Sequence, residues 1–157
     1  MRSLALCALT LAVAACEPTA RDQALEGQAG VRRLEVSGIK GSVHVTADPS
    51  VDDVTVTAVL TGTEARFIEQ RDGDVMQVLS NCPRHLWDLT CVVDYTVVLP
   101  PDVELRIDTA EGEIDVFYEA APESVEIHTQ DGDVSVVVPA GGYALAIEGE
   151  GELDLDG

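Results

Sequence analysis

The sequence predicts an all-β protein, a right-handed β-solenoid or β-helix-like stack of short strands. Three observations carry that expectation. First, apolar residues beyond Val31 skip one position again and again: Leu34 and Val36, Val43 and Val45, Val54 and Val56, Leu105 and Ile107, Ile114 and Val116, Val125 and Ile127, Val134 and Val136. A period of two buries one face of a strand and leaves the other wet. Second, the alternating segments recur at a fixed spacing. Third, no stretch after the N-terminal apolar run keeps helical spacing for three turns, and Thr63 to Gln70, the one ambiguous segment, leans towards strand or loop.

The repeat is explicit at the C-terminal end. Glu111-Gly112-Glu113-Ile114, Asp131-Gly132-Asp133-Val134 and Glu150-Gly151-Glu152-Leu153 align on glycines 20 and then 19 residues apart. A strand precedes each glycine, at Leu105, Val125 and Leu145, again at intervals of 20. Leu34 and Val36, followed by Gly41, Val43 and Val45, form the same unit near the start. Two short strands per unit cannot enclose a core alone, so neighbouring units stack and share one. Glycine suits the corners, where the backbone bends tightly. Pro101, Pro122 and Pro139 fall near turns, where a missing N–H is tolerated. The alternative for the same alternation is an antiparallel β-sandwich. Asp52 to Leu99 breaks the period and is expected to form longer strands or a hairpin.

Ahead of this body, Arg2 and the apolar run Leu4 to Val13 have the form of a signal peptide over residues 1–15. The run of about ten residues is too short to span a bilayer core. Leu11-Ala12-Val13-Ala14-Ala15-Cys16 resembles the lipobox of bacterial lipoproteins, which implies cleavage before Cys16 and diacylglycerol on its thiol. A plain secretory signal with a chance cysteine is the rival reading. Glu17 in place of aspartate implies, by the sorting pattern of such lipoproteins in Gram-negative cells, the outer membrane rather than the inner one. Residues 16–30 lack large apolar residues in any useful period and read as lipidated cysteine plus flexible tether, leaving 31–157 as the β-repeat domain.

Charge narrows the partners. The chain holds 9 basic and 29 acidic residues, a formal net charge of −20. Such a surface repels nucleic acid and anionic headgroups and suits divalent cations, basic peptides or simple solubility. Disorder is the alternative for so acidic a chain, but its many Val, Ile and Leu residues argue for a packed core. With Cys7 removed and Cys16 acylated, Cys82 and Cys91 remain in an oxidising compartment and are expected to form a disulfide. A closed loop of this size contributes on the order of 2–3 kcal/mol.

Ile39-Lys40-Gly41-Ser42-Val43-His44-Val45, Tyr95-Thr96-Val97-Val98-Leu99-Pro100 and the Gly112 and Gly132 repeats resemble the bacterial putative-adhesin family of β-strand-repeat envelope proteins, a domain of unknown function. The resemblance spans Val31 to Gly157 on degenerate motifs. It implies a fold similar to single-stranded right-handed β-helices and transfers no catalytic residue. The Cys82–Cys91 segment lies outside its pattern.

Three sets of side chains are candidates for function. Stacking places Glu113, Asp133 and Glu152 at matching positions about 4.8 Å apart, where like charges repel by about 0.9 kcal/mol per pair in water. Calcium held by these residues and Asp131 would relieve that repulsion. Against this, Asp-Gly is a common turn dipeptide and the glycine-rich nonapeptide of calcium-binding β-rolls is absent, so ordinary turns are the stronger reading. The Cys82–Cys91 loop holds Arg84, His85 and Trp87, residue types that suit recognition, although Leu86, Trp87 and Leu89 could instead cover the core. His44 and His128 alternate with inward residues and should face solvent, and nothing brings two histidines together for metal or acid–base work. No nucleophile lies in a recognisable motif.

The expected function is therefore non-enzymatic: a surface-tethered lipoprotein whose β-repeat domain binds or supports an envelope protein or a glycan, in the manner of an adhesin. The alternatives are an envelope sensor or regulatory lipoprotein, and a carbohydrate-active β-helix enzyme, for which few Arg and Lys residues are available.

Overall fold

A computed structural model describes residues 20–62, 65–81, 91–141, 143–149 and 153–156, the last four through their backbone only. These residues contain no helix and build two mixed sheets around one hydrophobic core. Each repeat unit sends its first strand to one sheet and its second to the other. The units comprise β2 (Arg33–Lys40) with β3 (Val43–Ala47), β8 (Glu104–Glu111) with β9 (Ile114–Tyr118), β10 (Ser124–Asp131) with β11 (Val134–Val137), and β12 (Ala144–Glu148) with β13 (Leu153–Asp156). First strands pair parallel and in register, Leu34 beside Leu105, Leu105 beside Val125 and Val125 beside Leu145. Second strands do the same, Val43 beside Ile114, Ile114 beside Val134 and Val134 beside Leu153. The spacing of 20 residues in sequence is thus one strand spacing in space, about 4.8 Å.

The middle of the chain contributes a fifth unit that the period conceals. β6 (Val75–Asn81) pairs parallel with β2, and β7 (Val92–Leu99) pairs parallel with β3. Met76 and Val78 continue the column of Leu34 and Val36, and Tyr95 and Val97 that of Val43 and Val45. In sequence, most of the stretch between these two strands, 82–90, lies outside the described residues. Antiparallel strands complete the sheets. β5 (Arg66–Asp72) forms a hairpin with β6 across Gly73, and β4 (Val54–Thr61) adds to β7.

Antiparallel strands at one end make both sheets mixed. The two-sheet layering is that of the sandwich alternative, with parallel pairing wherever the units repeat. One expectation is corrected here: 16–30 is not a coil throughout, because β1 (Ala20–Gln28) pairs antiparallel with β4 as the edge of the seven-stranded sheet. Only Leu25 of this strand packs against the core, and backbone pairing with β4 holds the rest. Charged residues and a register shift between Leu25 and Gln28 blunt the outer edge.

Gly112 and its counterparts are demanded by the stacking itself. Gly41, Gly112 and Gly132 take φ of 135°, 133° and 159°. A Cβ on Gly112 would lie 1.9 Å from the Gly41 carbonyl oxygen, and one on Gly132 would lie 2.0 Å from that of Gly112. Each corner rests on the backbone of the corner beside it. The Gly41 N–H donates to the Glu111 carbonyl and the Gly112 N–H to the Asp131 carbonyl, both at 3.1 Å.

The core includes two phenols, Tyr95 and Tyr118, which are 1 and 2 % exposed. Burial pushes the Tyr95 phenol up to about 12, tempered by the Ser80 hydroxyl, and pushes Tyr118 up further. Each stays protonated in the folded chain after the unfolded chain has ionised near pH 10. Stability should therefore be undiminished by these groups below pH 10 and fall above it. The slope is on the order of 1 kcal/mol per pH unit for each tyrosine. Urea titrations between pH 9 and 12 check this, and Tyr118→Phe should flatten the fall; an equally steep loss in that variant would assign it elsewhere.

Candidate functional site

The six-stranded sheet runs β12-β10-β8-β2-β6-β5, and its outer face is ruled with charged residues. The repeat sets their positions: Arg106 lies beside Glu126 because both occupy the same place in successive units. Along one row Gln77 donates to Glu35 at 2.7 Å, Glu35 is in register with Arg106, and Arg106 Nη1 reaches Glu126 at 3.4 Å. Along the next row Asp108, His128 and Glu148 follow one another, with His128 Nδ1 at 3.8 Å from Glu148. Arg106, Asp108, Glu126, His128 and Glu148 line a shallow depression of about 340 Å³. The side chains of these pairs are half exposed or more, where an ion pair contributes less than about 1 kcal/mol. They provide a patterned polar surface on a rigid sheet more than a stabilising network.

The seven-stranded sheet, β1-β4-β7-β3-β9-β11-β13, carries its own pair on the outer face. His44 Nδ1 is 2.9 Å from Asp115, on strands β3 and β9. Phe117 stands 45 % exposed two residues further along β9. Both His44 and His128 face outward, as the alternation predicts, and each meets a carboxylate of the adjoining unit.

At the acidic corners, the Glu113 carbonyl accepts from Val43 and the Asp133 carbonyl from Ile114, both at 2.9 Å, so these two residues occupy equivalent places in adjoining units. Asp131 is in register with Glu111, whose carboxylate pairs with Lys40 at 3.4 Å. Lys40, Glu111 and Asp131 together border a depression of about 350 Å³. Among the described residues no three His, Cys, Asp or Glu side chains converge as a metal ion would require. Glu152 lies outside the described residues. Asp72-Gly73-Asp74 is the β5–β6 hairpin turn, with Gly73 at φ 62° and the Asp74 carbonyl accepting from Arg32.

Cys91 is buried, 7 % exposed, immediately ahead of β7. Cys16, Cys82, Arg84, His85 and Trp87 lie outside the described residues. Sequence reasoning passes over Arg106, Asp108 and Glu126. The 20-residue offset, applied to outward as well as inward positions, is the signal that finds them.

Repeat units laid parallel into two sheets, with polar rows outside and a hydrophobic interior, define an all-β repeat domain. Its fold is shared with a solved structure, a putative cell adhesion protein from Clostridium sporogenes, at 9 % identity and a TM-score of 0.51, over 89 % of this chain and 98 % of that one. A putative adhesin from Parabacteroides distasonis aligns over 89 % of this chain and 66 % of its own, at 10 % identity and a TM-score of 0.46. No protein-family model matches the sequence, and no curated protein matches it. Among the described residues no helix is long and apolar enough to cross a membrane.

Proposed function

We propose that the protein is a lipid-anchored envelope protein whose β-repeat body serves, without catalysis, as an adhesin-type contact domain for an envelope protein or glycan. One observation carries the reading: the lipobox cysteine, Cys16, stands four residues ahead of β1, so a folded body begins directly behind the acylation point. Parallel stacking of the units in register supports a coil-like, solenoidal build for the repeat half, a form that offers extended partners a regular face. The Clostridium sporogenes protein with the same fold is a putative cell adhesion protein, which agrees with a surface role. A disulfide between Cys82 and Cys91 would tie the end of β6 to the start of β7. Glu17 directs the acylated chain to the outer membrane in a Gram-negative host. Calcium at the acidic corners forms no part of this proposal.

Labelling with radioactive palmitate in the producing bacterium tests the anchor. The wild-type chain should take up label and sediment with membranes, and Cys16→Ser should lose the label entirely. An unlabelled wild-type chain would overturn the reading.

A further inference from the structure

We propose that a groove at the anchor end of the body binds the phosphate headgroups of the bilayer lipid, seating the domain on the membrane rather than leaving it to swing from its anchor. This inference rests on the acylation of Cys16. The groove lies between β1 and β5, the edge strands of the two sheets, and has a volume of about 440 Å³. Leu60 and Phe67 give it an apolar floor, Ile68 on the rim is 37 % exposed, and Arg21 and Arg66 supply two guanidinium groups. Among the described residues no carboxylate lines it, although acidic residues outnumber basic ones 29 to 9 in the chain. Asp22 and Glu69 lie on the same strands but outside the lining. Arg21 donates from Nη2 to the Ala65 carbonyl at 2.9 Å, which holds its guanidinium across the gap between the sheets.

Position identifies the occupant. Arg21 follows Cys16 by five residues, a chain length that reaches at most roughly 17 Å. The groove therefore cannot leave the neighbourhood of the headgroups once Cys16 is acylated. β12 and β13, with Glu148, lie at the opposite end of both sheets. A guanidinium fork matches phosphate oxygens in charge and geometry, and exposed apolar side chains beside it suit the boundary between headgroup and acyl chain. Phosphate contact here is local, and it operates in spite of the net negative charge.

The test uses the full acylated protein in two kinds of nanodisc, one of phosphatidylglycerol and phosphatidylethanolamine, the other of phosphate-free digalactosyldiacylglycerol. Hydrogen exchange of β1 and β5 amides should be about tenfold slower in the phospholipid discs, with β8 and β10 unchanged between the two. Arg66→Gln, which alters an exposed side chain, should abolish that difference. Equal exchange of β1 and β5 in the two lipids would overturn the groove while the acyl mass on Cys16 leaves the anchor standing. An Arg66→Gln chain that keeps the difference would overturn it as well. A chain whose mass shows no acyl group would overturn both.

Discussion

Gly112→Ala should destabilise the body by about 4 kcal/mol, enough to lower its melting temperature by about 15 °C. The residue takes φ of 133°, and its Cβ position falls 1.9 Å from the Gly41 carbonyl oxygen. No side-chain rotation relieves such an overlap, because the obstructing atom is backbone. The clash can be removed only by prising unit β8–β9 away from unit β2–β3, and the hydrogen bonds and core columns on either side oppose that. Gly73→Ala is the control. Gly73 also has positive φ, 62°, but nothing lies within 4 Å of its Cβ position. Its substitution should cost only about 1 kcal/mol, the penalty for a left-handed alanine. Calorimetry of the two variants beside the wild type reads the difference directly. A Gly112→Ala protein within about 1 kcal/mol of wild type would mean that the corners do not stack.

Ile107→Ala should cost about 3–4 kcal/mol in urea unfolding. The side chain is fully buried on β8, with Val36 of β2 on one side and Ile127 of β10 on the other. A sheet pinned by hydrogen bonds on both flanks of β8 cannot collapse into the vacated space, so the cavity persists. Ile68→Ala on edge strand β5 removes the same atoms from a site 37 % exposed and should cost less than about 1 kcal/mol. Comparable losses for the two would argue that the interior is loosely packed.

How much of this was legible in the sequence depended on which force shaped each element. Leu105, Val125 and Leu145 advertise their strands through alternation and their stacking through the interval of 20, because burial of one face leaves a trace in composition. β1 leaves almost none. Ala20–Gln28 is held by backbone pairing to β4, and its mostly solvated side chains have no period to reveal, so it read as a tether. The β6–β7 unit was hidden for a different reason. Met76, Val78, Tyr95 and Val97 repeat the inward columns, but a longer stretch of sequence separates these two strands and puts the second off the expected interval. Strand direction is likewise silent in alternation, which is identical for parallel and antiparallel partners. Alternation therefore does not disclose the antiparallel additions of β1, β4 and β5.

The polar rows were recoverable in part. Arg106 and Glu126 share a repeat position, and so do His128 and Glu148, so the offset that aligned the core also aligns the surface. The groove between β1 and β5 was not, since Arg21 and Arg66 are far apart in sequence and line one groove only in the folded chain.

Methyl-to-methyl nuclear Overhauser contacts in the folded protein test the in-register stacking most directly. The architecture predicts strong contacts from Ile107 to both Ile127 and Val36, residues 20 and 71 positions away in the chain. Their absence, with the Ile107 methyls instead meeting those of a strand folded back against β8 in antiparallel register, would contradict it.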